Sequence, residues 1–352
     1  MPTYKDEKTG LWYCKFVYTD WTGARRQKKK KGFRLQKEAK EYELDFLSKS
    51  QVSCDMKFRL FAELYLEDCK ARLKVTTYPG KVNMFEKHIL PYFGELKLNE
   101  ITAATVRQWQ TKMLSSGKYK PTYLKSIHNQ LSAAFNYACR FYGLRENPAR
   151  SCGSMGKKKA DKMDFWTLDE FRAFNDAIGN KIMTKTIFNL LYWSGMRSGE
   201  LLALSLRDFD FEARTVTIDK NYARLDSEDL ILEPKTPKSN RTIGIPGVVC
   251  DMVRDYASRL VDYEDGDRLF EVTKGFLYHE MKRISEKSGV KKIRIHDIRH
   301  SHASLLIELG TNILLVSERL GHEDVQTTLD IYGHLYPHKD EEVAGRLDRL
   351  CA

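Results

Sequence analysis

The chain has 352 residues, is 42% hydrophobic and carries a formal net charge of +11, which suits two or three domains with real cores and a polyanionic partner. The opening MPTYKDEKTG has no apolar stretch for a signal peptide, and no run of about 18 apolar residues exists to span a membrane, so a cytoplasmic protein is expected. Cys14, Cys54, Cys69, Cys139, Cys152, Cys250 and Cys351 are odd in number, widely spaced and without a C-x-x-C pair, a pattern of a reducing compartment and neither a disulfide framework nor a zinc knuckle.

The charge is uneven. Residues 1–162 hold 33 Lys and Arg against 16 Asp and Glu, whereas residues 163–352 hold 26 against 32. The front half is therefore the part suited to grip a polyanion, although charge alone fits a solvated basic surface as well.

Residues 11–18 (LWYCKFVY) are aromatic and β-prone, residues 20–23 (DWTG) signal a turn, and residues 24–31 (ARRQKKKK) return as a second strand. A helix follows over 36–50, with Ala39, Tyr42 and Phe46 on one face. The returning strand alternates Arg26, Lys28 and Lys30 on one face with Arg25, Lys29 and Lys31 on the other. A two-stranded ribbon of this kind fits a DNA major groove; lysines guarding an edge strand against aggregation are the bland alternative. Residues 57–148 read as all-helical, with Phe58, Phe61, Ala62, Tyr65 and Leu66 at helical spacing and further helices over 77–90, 102–116 and 121–141. This stretch holds 15 basic against 7 acidic residues. Residues 150–162 (RSCGSMGKKKADK) read as a linker. Beyond it, helices are expected over 167–178, 181–194, 198–204, 247–261, 274–288, 297–309 and 312–320. A strand pair of 214–219 with 230–233 around a turn, and another strand over 241–245, complete the reading.

Four pieces of this last region carry chemistry: residues 195–200 (GMRSGE), residues 234–241 (PKTPKSNR), residues 296–300 (HDIRH), and residues 320–322 (LGH) followed by Tyr332. Each has an ordinary reading alone. Arg197 can pair with Glu200, Lys235 can be a solvated loop lysine, and His296 and His300 have the i, i+4 spacing of packing residues or of a metal pair. Leu-Gly-His can cap a helix, and Tyr332 can be a core tyrosine.

Taken in order and spacing, Arg197, Lys235, His296 with Arg299, His322 and Tyr332 resemble the tyrosine recombinase (phage integrase) family at all six positions. The resemblance is strongest over 163–352 and weaker over the helical stretch, which is similar to the family's core-binding domain. The N-terminal sheet resembles the arm-binding domain of integrases from Gram-positive phages and conjugative transposons. The implied fold is multidomain α+β. It comprises an arm-type DNA-binding module of sheet plus helix (1–52), an all-α core-binding domain (57–150), a linker (151–162), and a mainly-α catalytic domain with a small antiparallel sheet and a C-terminal tail helix (163–352).

The resemblance implies an activity that cuts and rejoins DNA through a 3′-phosphotyrosyl bond, for integration and excision of a phage or transposon. Tyr332 is then the nucleophile and Lys235 protonates the leaving 5′-oxygen. Arg197 and Arg299 clamp the non-bridging oxygens, a task for permanently charged bidentate donors. His296 is the expected base and His322 an expected donor to a non-bridging oxygen, with Glu200 orienting Arg197. Expected DNA contacts are Arg25, Arg26, Lys28, Lys30, Lys120, Lys238 and Arg241. No ATP, metal or other cofactor is expected, because neither a Walker glycine loop nor close cysteine pairing occurs. The partners implied are double-stranded DNA with core and arm attachment sites, a homotetramer on that DNA, an excisionase and a host DNA-bending protein, all within a bacterial cell. In the tail, Val343, Leu347 and Leu350 share a helical face, which in the family docks on a neighbouring protomer. Three other readings compete. They are a type IB topoisomerase, a DNA-binding protein without catalysis, and a metallohydrolase using His296, His300 and His302.

Overall fold

The computed structural model describes residues 3–7, 9–19, 25–50, 54–157, 164–234, 236–335 and 347–349. The turn at 20–23, the basic end of the linker, Lys235 and nearly all of the tail segment 339–350 lie outside them. The chain divides into two compact units, Met1–Asp161 and Lys162–Ala352.

The first unit opens with β1 (Thr3–Lys5), β2 (Trp12–Thr19) and β3 (Arg25–Phe33), an antiparallel sheet in that order, followed by α1 (Gln36–Ser50). Alternation along β2 puts Trp12, Cys14, Phe16 and Tyr18 on one face, where they pack with Ala39, Tyr42 and Phe46 of α1. Residues paired across an antiparallel ladder share a face, and the register pairs Tyr18 with Arg26, Phe16 with Lys28 and Cys14 with Lys30. A bulge at Gly32, which takes φ +100, then turns Phe33 back to the helix side beside Trp12.

The helical part of this unit holds α2 (Phe58–Arg72), α3 (Tyr78–Met84), a π-helical turn (Phe85–Ile89), α4 (Leu90–Phe93), α5 (Ala103–Ser115), α6 (Pro121–Phe141) and α7 (Pro148–Cys152). Where one helix was expected over 77–90, the chain continues past Pro91 through the π turn. Proline has no N–H to donate, and the wider turn accommodates that loss. The α6 helix begins with Pro121, pre-set for the first turn, and buries Leu124, Ile127, Leu131, Phe135 and Ala138 at helical spacing. Phe135 packs against Phe58, and Trp109 against Phe93.

The second unit comprises α8 (Leu168–Ile178), α9 (Ile182–Ser194), α10 (Ser198–Leu201), β4 (Phe209–Asp210), β5 (Thr215–Ile218), β6 (Asn221–Leu225), β7 (Glu228–Leu232), β8 (Arg241–Gly244), α11 (Gly247–Ala257), α12 (Lys274–Ser288), α13 (Asp297–Glu308), α14 (Ile313–Leu320) and α15 (Val325–Tyr332). The α9 helix is buried along most of its length and packs Ile187, Phe188, Leu190, Leu191 and Tyr192 against α8, α11 and α13. The expected pairing of 214–219 with 230–233 does not form. Instead β5 runs antiparallel to β4 and β8, and β6 pairs with β7 in a hairpin. Asp226 and Ser227 close that hairpin with positive φ, the conformation a two-residue turn requires, and neither residue is the glycine that would advertise it. The α15 helix, which sequence periodicity did not reveal, brings Tyr332 into a small cluster with Ala303, Ile307, Val316 and Leu320.

Truncating Phe135 to Ala should lower the stability of the helical module by about 3–5 kcal/mol, read as a shifted midpoint in denaturant unfolding.

Candidate active site

The site grows from four helix ends in the second unit. The α9 helix stops at Gly195, which takes a left-handed φ of +68 and has the His302 ring 2.5 Å from where a Cβ would sit. Only glycine fits there without displacement. The chain then presents Arg197 immediately before α10, half-exposed, with its Nη1 donating to Glu200 Oε1 at 2.6 Å and its backbone N–H donating to Glu200 Oε2 at 2.8 Å.

Glu200 is 3% exposed. Burial alone would raise its carboxyl, but the hydrogen bond and charge of Arg241 and the charge of Arg197 outweigh burial and hold it below the ordinary carboxylate range. Arg241 Nη2 donates to Glu200 Oε2 at 2.8 Å, while its Nε and Nη1 donate to the carbonyls of Arg319 and Ser239. Arg241 was expected on the DNA surface; the structure corrects this. Its side chain is 7% exposed, and all three guanidinium nitrogens face inward partners.

Arg299 lies in α13, 2% exposed, with Nη1 donating to the carbonyl of Gly195 at 2.9 Å and Nη2 to that of Leu320. These carbonyls end α9 and α14, where helix dipoles are negative. Burial and the charge of Arg197 push Arg299 down to about 9, which leaves it charged at neutral pH. His322 follows α14, and its Nδ1 is hydrogen-bonded to Thr328 Oγ1 of α15 at 2.8 Å. Burial, then Arg299 and Arg197, push its pKa down to about 3. A cleft of about 270 Å³ is lined by Arg197, Glu200, Pro234, Thr236, His322 and Thr327 among others. Lys238 is exposed near it and donates to the Glu323 carbonyl at 2.7 Å. Lys235 itself lies outside the described residues.

His296 and His300 stand one turn apart at the start of α13 with their rings edge to face, centroids 5.1 Å apart. His296 keeps an exposed side chain in a crowded setting, where desolvation and the charges of Arg299 and Arg197 hold it below the usual histidine value. It was the expected base, yet the phenol of Tyr332 meets the other histidine: His300 Nδ1 and Tyr332 Oη are 2.5 Å apart. Tyr332 is fully buried. Burial pushes its phenol well up, against the lowering effect of Arg299. Among the described residues, no three His, Cys, Asp or Glu side chains are grouped to share a metal ion.

The strand residues expected to touch DNA divide between the two faces of the first unit's sheet. Arg26, Lys28 and Lys30 lie on the face that bears α1; Arg26 and Lys30 stay exposed there, while Lys28 is half-buried with its ammonium 3.9 Å from the centre of the Phe46 ring. Of the strand residues expected to touch DNA, Arg25 alone belongs to the open face. Its companions there are Gln27, Lys29 and Lys31, opposite Val17, Lys15 and Tyr13. Lys120 is exposed just before α6.

Sequence reasoning missed His300 as the partner of the phenol, the Thr328 contact to His322, and Arg319, which donates to His302 Nε2 and to the carbonyls of Trp193 and Gly244. The i, i+4 spacing of His296 and His300 was a signal for the first. Nothing local marked the others.

Residues 164–339 match the phage integrase family, residues 57–114 the phage integrase N-terminal SAM-like domain, and residues 2–50 an arm DNA-binding domain. Similar curated proteins include the ICEBs1 integrase of Bacillus subtilis strain 168, 29% identical over 86% of this chain and 85% of its own length. The integrase of Staphylococcus phage L54a is 23% identical over 90% of this chain and 99% of its own. Among solved structures, the Tn1549 transposon integrase in complex with a circular intermediate DNA superposes with a TM-score of 0.69 at 20% identity, covering 82% of this chain and 99% of that one. A lambda integrase dimer bound to a COC′ core site gives 0.62 at 15%, covering 96% and 95%. At these identities the structural likeness is one of fold.

The Glu200 ion pairs set a pH signature. A carboxyl held below its unfolded value contributes stability above that value, near 4.3, and loses it as pH falls through the lower folded value. Glu200→Gln should therefore melt at a lower temperature than wild type at pH 7, with the gap closing as the pH falls below about 4. Thermal melts across pH 3–7 would check this; a gap that stays constant over that range contradicts it.

Proposed function

The chain belongs to the phage integrase family, and on that premise we propose that it is a tyrosine recombinase that integrates and excises a mobile element by cutting and rejoining double-stranded DNA through Tyr332. The observation that carries the reading is the convergence of Arg197, Arg299, His322 and the Tyr332 hydroxyl at the ends of α9, α13, α14 and α15. A phosphodiester resists nucleophiles because it is already anionic, and its transition state gathers more charge on the non-bridging oxygens. Arg197 and Arg299 meet that charge from a partly buried, pre-organised position. His322, held by Thr328, and the exposed His296, close enough to feel the charges of Arg299 and Arg197, complete the set of donors. The histidines are neutral before DNA binds, and a phosphate entering among them favours their protonated forms. Lys235 delivers a proton to the departing 5′-oxygen in this reading. The bond to Tyr332 conserves the energy of the cut phosphodiester, so a 5′-hydroxyl from a partner duplex can displace it without ATP.

Site choice is divided in this proposal. The helical module, with exposed Lys120, and the second unit clamp the core site, with Lys238 near the backbone. The N-terminal sheet takes the arm sites with its open face. Lys15 and Lys29 stand directly opposite each other there, an unfavourable pair in the free protein that a phosphate backbone relieves. The finer assembly is a homotetramer on DNA in the bacterial cytoplasm, joined by an excisionase and a host DNA-bending protein.

Two experiments test this. A nicked duplex carrying the crossover site, which traps the cut strand, should yield a protein–DNA adduct on denaturing gels that disappears in Tyr332→Phe. Arg299→Ala should slow its formation by roughly 10²–10³-fold. A bound site that yields no adduct would refute the catalytic reading, and an adduct without strand exchange would leave a topoisomerase-like enzyme. For the sheet, Lys15→Ala with Lys29→Ala should weaken arm-site binding and flatten its salt dependence, whereas Lys28→Ala should leave that slope nearly unchanged. The reverse pattern would show that the wrong face has been chosen.

A further inference from the structure

We propose that His300, not His296, accepts the phenolic proton of Tyr332 as the phosphodiester is attacked. This rests on Tyr332 being the nucleophile. The geometry is direct: His300 Nδ1 lies 2.5 Å from Tyr332 Oη, within reach for proton transfer without rearrangement. His300 adjoins Arg299 in α13, so the group that would take the proton and the group that would hold the phosphate move as one rigid element. Tyr332 feels the charge of Arg299 from its present position, which places the phenol near the phosphate clamp already. His296, one turn earlier, has its side chain exposed. It is thereby suited to contact the phosphate, while the buried His300 is suited to serve the buried phenol.

In the step, the O–H bond of Tyr332 breaks and an N–H bond forms at His300 Nδ1. The phenolic oxygen bonds to phosphorus, the bond from phosphorus to the 5′-oxygen breaks, and that oxygen takes a proton from the leaving-group acid. Rejoining runs the same transfers backward. In the free protein, burial and then the neighbouring His296 push His300 down to about 4, so its imidazole is neutral and able to accept. The groups acting on it are His296, Asp297, Arg294 and Arg299 from α13 and its approach, Tyr332 from α15 and His322 after α14. Proton transfer to so weak a base does not precede attack. It accompanies attack, when the DNA phosphate brings negative charge that offsets the arginines and stabilises the imidazolium.

The test is single-turnover cleavage of the nicked duplex by His300→Ala and His300→Asn. The asparagine amide can occupy the position of Nδ1 and hydrogen-bond to the phenol, but it cannot take a proton. Both variants should cleave ~100-fold more slowly than wild type with wild-type DNA affinity, and the asparagine variant should remain folded. The same defect should persist on a substrate with a 5′-bridging phosphorothiolate, whose thiolate leaves without protonation. If the asparagine variant is within about tenfold of wild type, or if the sulfur substrate restores it, the proposal is overturned, because such effects are below general-base magnitudes or lie on the leaving-group side. Should alanine unfold the protein, the asparagine variant carries the comparison. An adduct that survives in Tyr332→Phe would defeat the nucleophile assignment itself, whereas a Tyr332-dependent adduct formed at full rate by the His300 variants defeats this proposal only.

Discussion

Everything at the candidate site depends on a carboxylate, Glu200, buried between Arg197 and Arg241. Removing charges from water is costly, and a buried carboxylate persists only when it is paired and hydrogen-bonded. Here the pairing serves a second end. Glu200 fixes the orientation of Arg197 before any phosphate arrives, and Arg241 locks Glu200 to the strand β8 and to the carbonyl end of α14. Binding energy then need not be used to order the arginine when DNA enters.

Positive charge nonetheless remains in excess around the cleft. Arg299 is satisfied by carbonyl dipoles and not by a carboxylate, so its full charge is retained for an anion. Burial, and after it the neighbouring positive charges, lower His296, His300 and His322 below the ordinary histidine value. The imidazoles are thus neutral until a phosphate joins them, and the free site is primed for an anion. The N-terminal sheet also concentrates positive charge at lower burial, since its open face sets Lys15 directly against Lys29.

Legibility varied from element to element for identifiable reasons. The α6 and α9 helices announced themselves through proline at the first turn and through continuous apolar spacing. The α15 helix did not, because the residues it buries are Thr328 and Tyr332; a polar threonine does not register in an apolar period. The β6–β7 hairpin was mispaired because Asp226 and Ser227 adopt positive φ without glycine to mark the turn. Arg241 read as a surface charge, since arginine is seldom buried unless paired, and its partner Glu200 lies 41 residues away.

The sequence by itself determined the order and spacing of the chemical groups: arginine before α10, the histidine–arginine box at the head of α13, the Leu-Gly-His end of α14, and the tyrosine ten residues on. These are properties of short local segments, where periodicity and turn chemistry act directly. Only the tertiary structure decided which sheet face stays open, which arginine is buried, and which histidine meets the phenol. Each of those depends on contacts between distant segments, α1 on β2, Glu200 on Arg241, α15 on α13. A strand's alternation offers two equal faces, and a helix turn offers two histidines. The choice between them is made by what packs against them, and local sequence does not encode that packing.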